Sequence, residues 1–205
     1  RITNTSIDTL LLQDKSNTHY LRYDFYNRYT ELGNAFIDYR NKLDALSQNT
    51  IIYGHTTQGK LQVFNDLYKY MDYDFYTNNP IIEFGTLYKD YRWKIFAVYI
   101  TSVEGKDDNG YFFYYIHPEI NESNFTGYLG QIMQRSRFFT DIGVTAEDRI
   151  LTLSTCVYDN NFAGNTVDSR LVVAARLMRD GESSETDPSK VLDTPNFRRP
   201  QVWYS

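Results

Sequence analysis

Cysteine is all but missing from this chain. Cys156 is the one cysteine among 205 residues, so no internal disulfide can form. An isolated cysteine is ordinarily a small, inert, buried apolar residue, and that is the default for Cys156. Long hydrophobic runs are missing as well. No stretch approaches the ~18–20 apolar residues of a membrane span, and no segment has the pattern of a signal peptide. The chain opens at Arg1 rather than Met, as a trimmed chain would, so the lack of an anchor is expected to say little about the natural protein. Clustered Lys and Arg are absent and the formal net charge is −5, which argues against a nucleic-acid footprint. Carboxylates at calcium-loop spacing are also lacking. Asp107 and Asp108 form a bare acidic pair, read as a solvated hairpin, and nothing suggests a metal or another cofactor.

Aromatic residues, by contrast, are plentiful: 19 Tyr, 13 Phe and 2 Trp. That favours β-structure and half-wet surfaces, because a tyrosine ring buries while its hydroxyl keeps a polar partner. The length suits one domain with a proper core. Strands are expected at "AFIDYRN" (35–41), "TIIYGH" (50–55), "IIEFG" (81–85), "YRWKIFAVYITSVEG" (91–105), "YFFYYIH" (111–117), "RILTLSTC" (149–156) and "SRLVVAARLM" (169–178). "KLQVFNDLYKYMD" (60–72) and "NESNFTGYLGQIMQRSRFF" (121–139) read as amphipathic helices. The tail holds three of the five prolines and is expected to have little regular structure, with Trp203 and Tyr204 pinning it to the surface. No repeat and no βαβ alternation is present, which favours an antiparallel barrel or sandwich edged by helices.

Within "RILTLSTC", alternation sends Leu151 and Leu153 to one face and Thr152, Ser154 and Cys156 to the other. The thiol therefore sits on the more polar side, at a strand end. A nucleophilic cysteine needs a base or a stabilising cation, because the thiolate attacks. Three histidines are available. His55 follows the apolar run "IIYG", so a rigid strand delivers it to a loop; His19 and His117 remain open alternatives. In "SRLVVAARL", Arg170 and Arg176 share the face opposite Leu171, Val173 and Ala175, so alternation does not separate them. An arginine at a site's mouth can donate to a developing oxyanion, although most strand-end arginines are solvated charges.

"TLSTC", then a polar loop and "SRLVV", with "YGH" upstream, resemble the active-site signature of the sortases, the Gram-positive cysteine transpeptidases. "FIDYRN" and the helix between the later strands are similar to class B sortases in particular, from about residue 10 to about 178. The resemblance implies an eight-stranded β-barrel with peripheral α-helices. It implies a helical arm over 1–30, a catalytic barrel over 31–180 and an extension over 181–205. Cys156 would be the nucleophile, His55 the general acid/base and Arg170 the stabiliser of the oxyanion. Asn41, Ser154 and Thr155 would help hold the sorting peptide. The reaction would be cleavage of a C-terminal sorting signal after Thr, through a thioester on Cys156, with transfer to an amine of peptidoglycan or of a pilin. The partners would be surface proteins or pilins bearing that signal. The enzyme would sit on the extracellular face of the cell membrane, held by an anchor outside this chain. Two alternatives stand beside this reading: a cysteine peptidase of another type, and an inactive β-barrel binding module. The Cys156 to Arg170 interval of 14 residues is longer than the resemblance leads one to expect, which makes the intervening loop the place for substrate preference.

Overall fold

The computed structural model describes residues 1–56, 64–157 and 168–204. Among these are eight strands, six of them in one curled sheet of order β1-β2-β6-β7-β4-β3. The strands are β1 (Phe36–Ile37), β2 (Asn49–Tyr53), β3 (Ile81–Glu83), β4 (Arg92–Ser102), β6 (Ile150–Val157) and β7 (Ser169–Leu177). The remaining two, β5 (Phe138–Phe139) and β8 (Leu192–Asp193), pair with each other. The mostly-β architecture expected from the strand pattern is therefore present.

The central strands are apolar nearly throughout because the sheet is covered on both faces. One face carries Leu151, Leu153 and Val157 of β6, Leu171, Val173 and Ala175 of β7, and Trp93 and Ile95 of β4. The other carries Ile150, Val172 and Ala174, packed with Phe96, Ala97 and Tyr99 under the helix α2 (Glu122–Arg135). Strand β4 changes parity on the way: its pairing with β7 slips between Ile95 and Ala97, so odd residues face the first core before the bulge and Val98 and Ile100 after it. Each fully buried Val, Leu or Phe contributes about 1.5–3 kcal/mol, so this double core fixes β6 and β7 in register.

Several elements differ from expectation. The arm over 1–30 holds a single 3₁₀ turn, His19–Leu21, and no α-helix. Its apolar residues act as sheet-edge contacts instead: Ile2 bridges Ile82, and Leu12 bridges Phe36. Of the helix expected over 60–72, residues 60–63 lie outside the described residues. The rest is a 3₁₀ segment, Asn65–Met71, followed by a separate helix α1 (Tyr73–Asn78). Asp72 divides them: it sits in extended backbone and its carboxylate caps α1 by accepting from the Phe75 N–H at 2.8 Å. Residues 111–117 form no strand. Their period-2 pattern comes from Phe113 and Tyr115 burying against Tyr99 and Tyr128, without a ladder among the described residues.

The tail returns along the molecule. Lys94 donates to the Ser183 and Glu185 carbonyls, Arg198 pairs with Asp108 at 2.8 Å, and Trp203 Nε1 donates to Ser169 Oγ at 3.1 Å. Asp108 is thus a buried joint that also accepts from the Gln201 N–H, and not the solvated charge expected of it.

Candidate active site

The parallel pairing of β2 with β6 decides which side chains meet. Tyr53 is the register partner of Ser154, and Ile52 of Leu153, so both strands emerge at the same edge of the sheet. Strand β7 runs antiparallel to β6 and begins at that edge, with Ser169 opposite Val157. Residues remote in sequence are thereby gathered at one strand end.

Cys156 and Arg170 are direct cross-strand partners. Residues so opposed project to the same face with Cβ atoms about 4.5–5.5 Å apart. Both are half-buried. Burial works against the Arg170 charge, but Cys156, Asp168 and Tyr115 outweigh it and push the guanidinium's pKa up. Arg170 also pairs through Nη1 with the Asp168 carboxylate and donates to the Ser169 carbonyl at 3.0 Å. Arg176 is opposite Ile150 at the far end of β7, buried and ion-paired with Glu182 at 2.6 Å. Strand register thus separates the two arginines that alternation could not.

His55 lies two residues beyond β2, on the continuation of the β2–β6 pairing that sets Gly54 beside Ser154: the Gly54 N–H donates to the Ser154 carbonyl at 3.2 Å. Thr155 Oγ1 donates to the Gly54 carbonyl at 2.7 Å. Its single proton being so used, the 2.5 Å contact with Thr56 Oγ1 must be a donation from Thr56. These bonds clamp both residues flanking His55 to the strand that carries Cys156. Gly54 is required there, since a Cβ would stand 2.5 Å from the Phe64 ring. The imidazole is half-buried and its Nε2 meets the Leu21 carbonyl at 2.9 Å.

The other histidines are occupied elsewhere. His19 stacks on Tyr23 and meets Asn27 Oδ1 at 2.9 Å. His117 packs against Tyr114; its pKa is lowered by burial and then by Arg40, and its carbonyl accepts from Asn49 at the opposite end of β2.

The three residues expected to hold the peptide fare differently. Asn41 is buried at the far end of β2, where it donates to the Asn49 carbonyl at 2.7 Å and accepts from the Ile51 N–H at 2.9 Å. Its amide is consumed in strand-end backbone bonding, so it does not join the site. Ser154 and Thr155 are at the site but buried, and their hydroxyls face protein. Ser154 Oγ is 2.8 Å from the Tyr115 hydroxyl.

Tyr115 was invisible as a site residue because its segment reads as an ordinary strand. Its hydroxyl feels the charges of Arg170 and Cys156, and its pKa is raised mainly by burial, against the Ser154 hydrogen bond and the Arg170 charge. Tyr68, packed against the opposite core, reaches the same strand end, its hydroxyl donating to the Cys156 carbonyl at 3.4 Å. Among the described residues no group of three or more His, Cys, Asp or Glu could hold a metal.

A thiol, an imidazole and a half-buried guanidinium at one strand end can carry out acyl transfer. A family model for the sortase domain matches residues 1–178. The chain belongs to the sortase family. It is 36% identical over 178 residues to the sortase B of Listeria monocytogenes, covering 86% of this chain and 67% of that protein. It is 34% identical over 180 residues to the sortase B of Staphylococcus aureus, covering 87% and 68%. A solved Staphylococcus aureus sortase B–substrate complex has the same fold, with a TM-score of 0.74 at 32% identity over 88% of this chain and 78% of that one. This sortase is a cysteine transpeptidase similar to class B. Nothing favours a peptidase of another type or an inactive module. Sortases are enzymes of the cell envelope; among the described residues no helix is long and apolar enough to cross a membrane.

Proposed function

We propose that Cys156 is the nucleophile, His55 the general acid/base and Arg170 the oxyanion stabiliser of this sortase. The observation that carries the assignment is the register pairing of Cys156 with Arg170, with His55 on the end of the adjacent parallel strand. The Cys156 thiol gives its proton to the His55 imidazole, and the thiolate so formed attacks the carbonyl carbon after the Thr of a sorting signal. Negative charge develops on the carbonyl oxygen, where the always-charged fork of Arg170 donates to it. The C–N bond breaks as His55 gives a proton to the leaving amine, and a thioester on Cys156 remains. An acceptor amine of peptidoglycan or a pilin then attacks, its proton passes to His55, and the C–S bond breaks to restore the thiolate.

The partners under this reading are surface proteins or pilins bearing the signal, and the place of action is the outer face of the cell membrane. Residues 31–180 are the catalytic unit, and the flanking segments serve to brace it. Incubation with quenched Leu-Pro-x-Thr-Gly, Asn-Pro-x-Thr-x and Ser-Pro-x-Thr-Gly peptides tests the reading. Cleavage of at least one, lost in Cys156→Ala, is expected; cleavage that survives Cys156→Ala would move the nucleophile elsewhere.

A further inference from the structure

The His55 imidazole is held by a backbone group of the N-terminal arm, far away in sequence. Its Nε2 lies 2.9 Å from the Leu21 carbonyl oxygen. A carbonyl oxygen only accepts, so Nε2 carries the proton and Nδ1 is left with the exchangeable lone pair. The carbonyl is itself fixed. Leu21 ends the 3₁₀ turn His19–Leu21, and the chain folds back so that Thr30 N–H donates to the Arg22 carbonyl at 2.8 Å and Asn34 N–H to the Tyr20 carbonyl at 2.9 Å. Gly33 sits at the closure with φ +56, where a Cβ would stand 2.4 Å from the Tyr20 oxygen and 2.7 Å from the Leu21 oxygen. The backbone of the arm and the absence of a side chain at position 33 together leave the Leu21 carbonyl where His55 needs it.

We propose that the Leu21 carbonyl is the positioning group of the acid/base, fixing the ring with Nε2–H on the arm and Nδ1 as the proton-transfer atom, and that Gly33 is the residue that makes room for it. The inference rests on the acid/base reading of His55. Among the described residues the third member of the set comes from the arm's backbone.

The test combines a spectrum with a variant. In protein labelled with ¹⁵N-histidine, His55 (assigned by its loss in His55→Ala) is expected as the Nε2–H tautomer with an Nε2 proton protected from solvent exchange. Gly33→Ala is expected to lose that protection and to lower kcat at least tenfold, with KM changed less than twofold. Gly181→Ala, at another positive φ of +75 but with nothing within 4 Å, is the control for backbone strain and is expected to keep kcat. An Nδ1–H tautomer, or an Nε2 proton exchanging as in free imidazole, overturns the proposal even if Gly33→Ala fails to fold. A folded Gly33→Ala enzyme with unchanged kcat also overturns it. If His55→Ala abolishes turnover while Gly33→Ala does not lower kcat, the positioning inference alone fails. If His55→Ala leaves turnover intact, the acid/base reading fails and takes this inference with it.

Discussion

Cys156 and Arg170 stand directly opposite each other on β6 and β7, at the end of the sheet where the β2 segment delivers His55. The pairing makes their proximity a property of sheet register, held by the double core on either side of the two strands, and not of the long segment between them. A one-residue slip would send one of the two side chains to the opposite face.

Arg170 and Arg176 should therefore separate cleanly in mutagenesis. Arg170→Lys keeps a charge but loses the planar fork, and kcat for a sorting peptide is expected to fall about 10²–10³-fold. Arg176 lies six residues further along β7, roughly 20 Å away, paired with Glu182. Arg176→Met is expected to lower unfolding free energy by about 1–3 kcal/mol and leave turnover per folded molecule unchanged. Peptide-cleavage kinetics beside urea titrations check both; the reverse pattern would assign the oxyanion role to Arg176.

Thr155 is expected to act as a positioning residue. Its hydroxyl joins the Gly54 carbonyl to Thr56, on either side of His55. Thr155→Val is expected to cost about 1–2 kcal/mol of stability and to lower kcat, while the alkylation rate of Cys156 stays near wild type. A fall in KM affinity with kcat intact would instead favour a direct peptide contact.

Much of this was readable in advance, and the failures have physical causes. Residues 150–157 and 169–177 announced themselves because a strand covered on both faces is apolar at nearly every position. "YFFYYIH" misled because aromatic rings packing under a helix produce the same period-2 pattern as a ladder. Asn41 was misassigned because a sequence shows an amide but not whether the backbone has already claimed it. Strand position alone left three histidines open, and the parallel register of β2 and β6, a long-range fact, is what carries His55 to the strand end of Cys156. The Leu21 carbonyl carries no side-chain signal at all, and Tyr115 was one tyrosine among 19.

Asp38 links the arm to the strand that leads to His55, and it sets a pH dependence. Its buried carboxylate accepts from Arg40, Tyr53 and Asn17. Burial alone would raise its pKa; the hydrogen bonds, those from Arg40 foremost, overcome that and hold it below the ordinary 3.8. A depressed folded-state pKa gives stability that is present above 3.8 and lost as pH falls through the lower folded value. Urea titrations are expected to show unfolding free energy dropping below about pH 4, with a shallower slope in Asp38→Asn. The slope should not vanish, because Asp66, Asp148 and Glu182 are also held low. An Asp38→Asn slope equal to wild type would contradict this role.

Intact-protein mass spectrometry during turnover of a sorting peptide tests the central assignment most directly. The account predicts an adduct with the mass of the peptide's acyl portion through Thr, mapped to Cys156, absent in Cys156→Ala and released by hydroxylamine. Peptide cleavage with no adduct, persisting in Cys156→Ala, would contradict it.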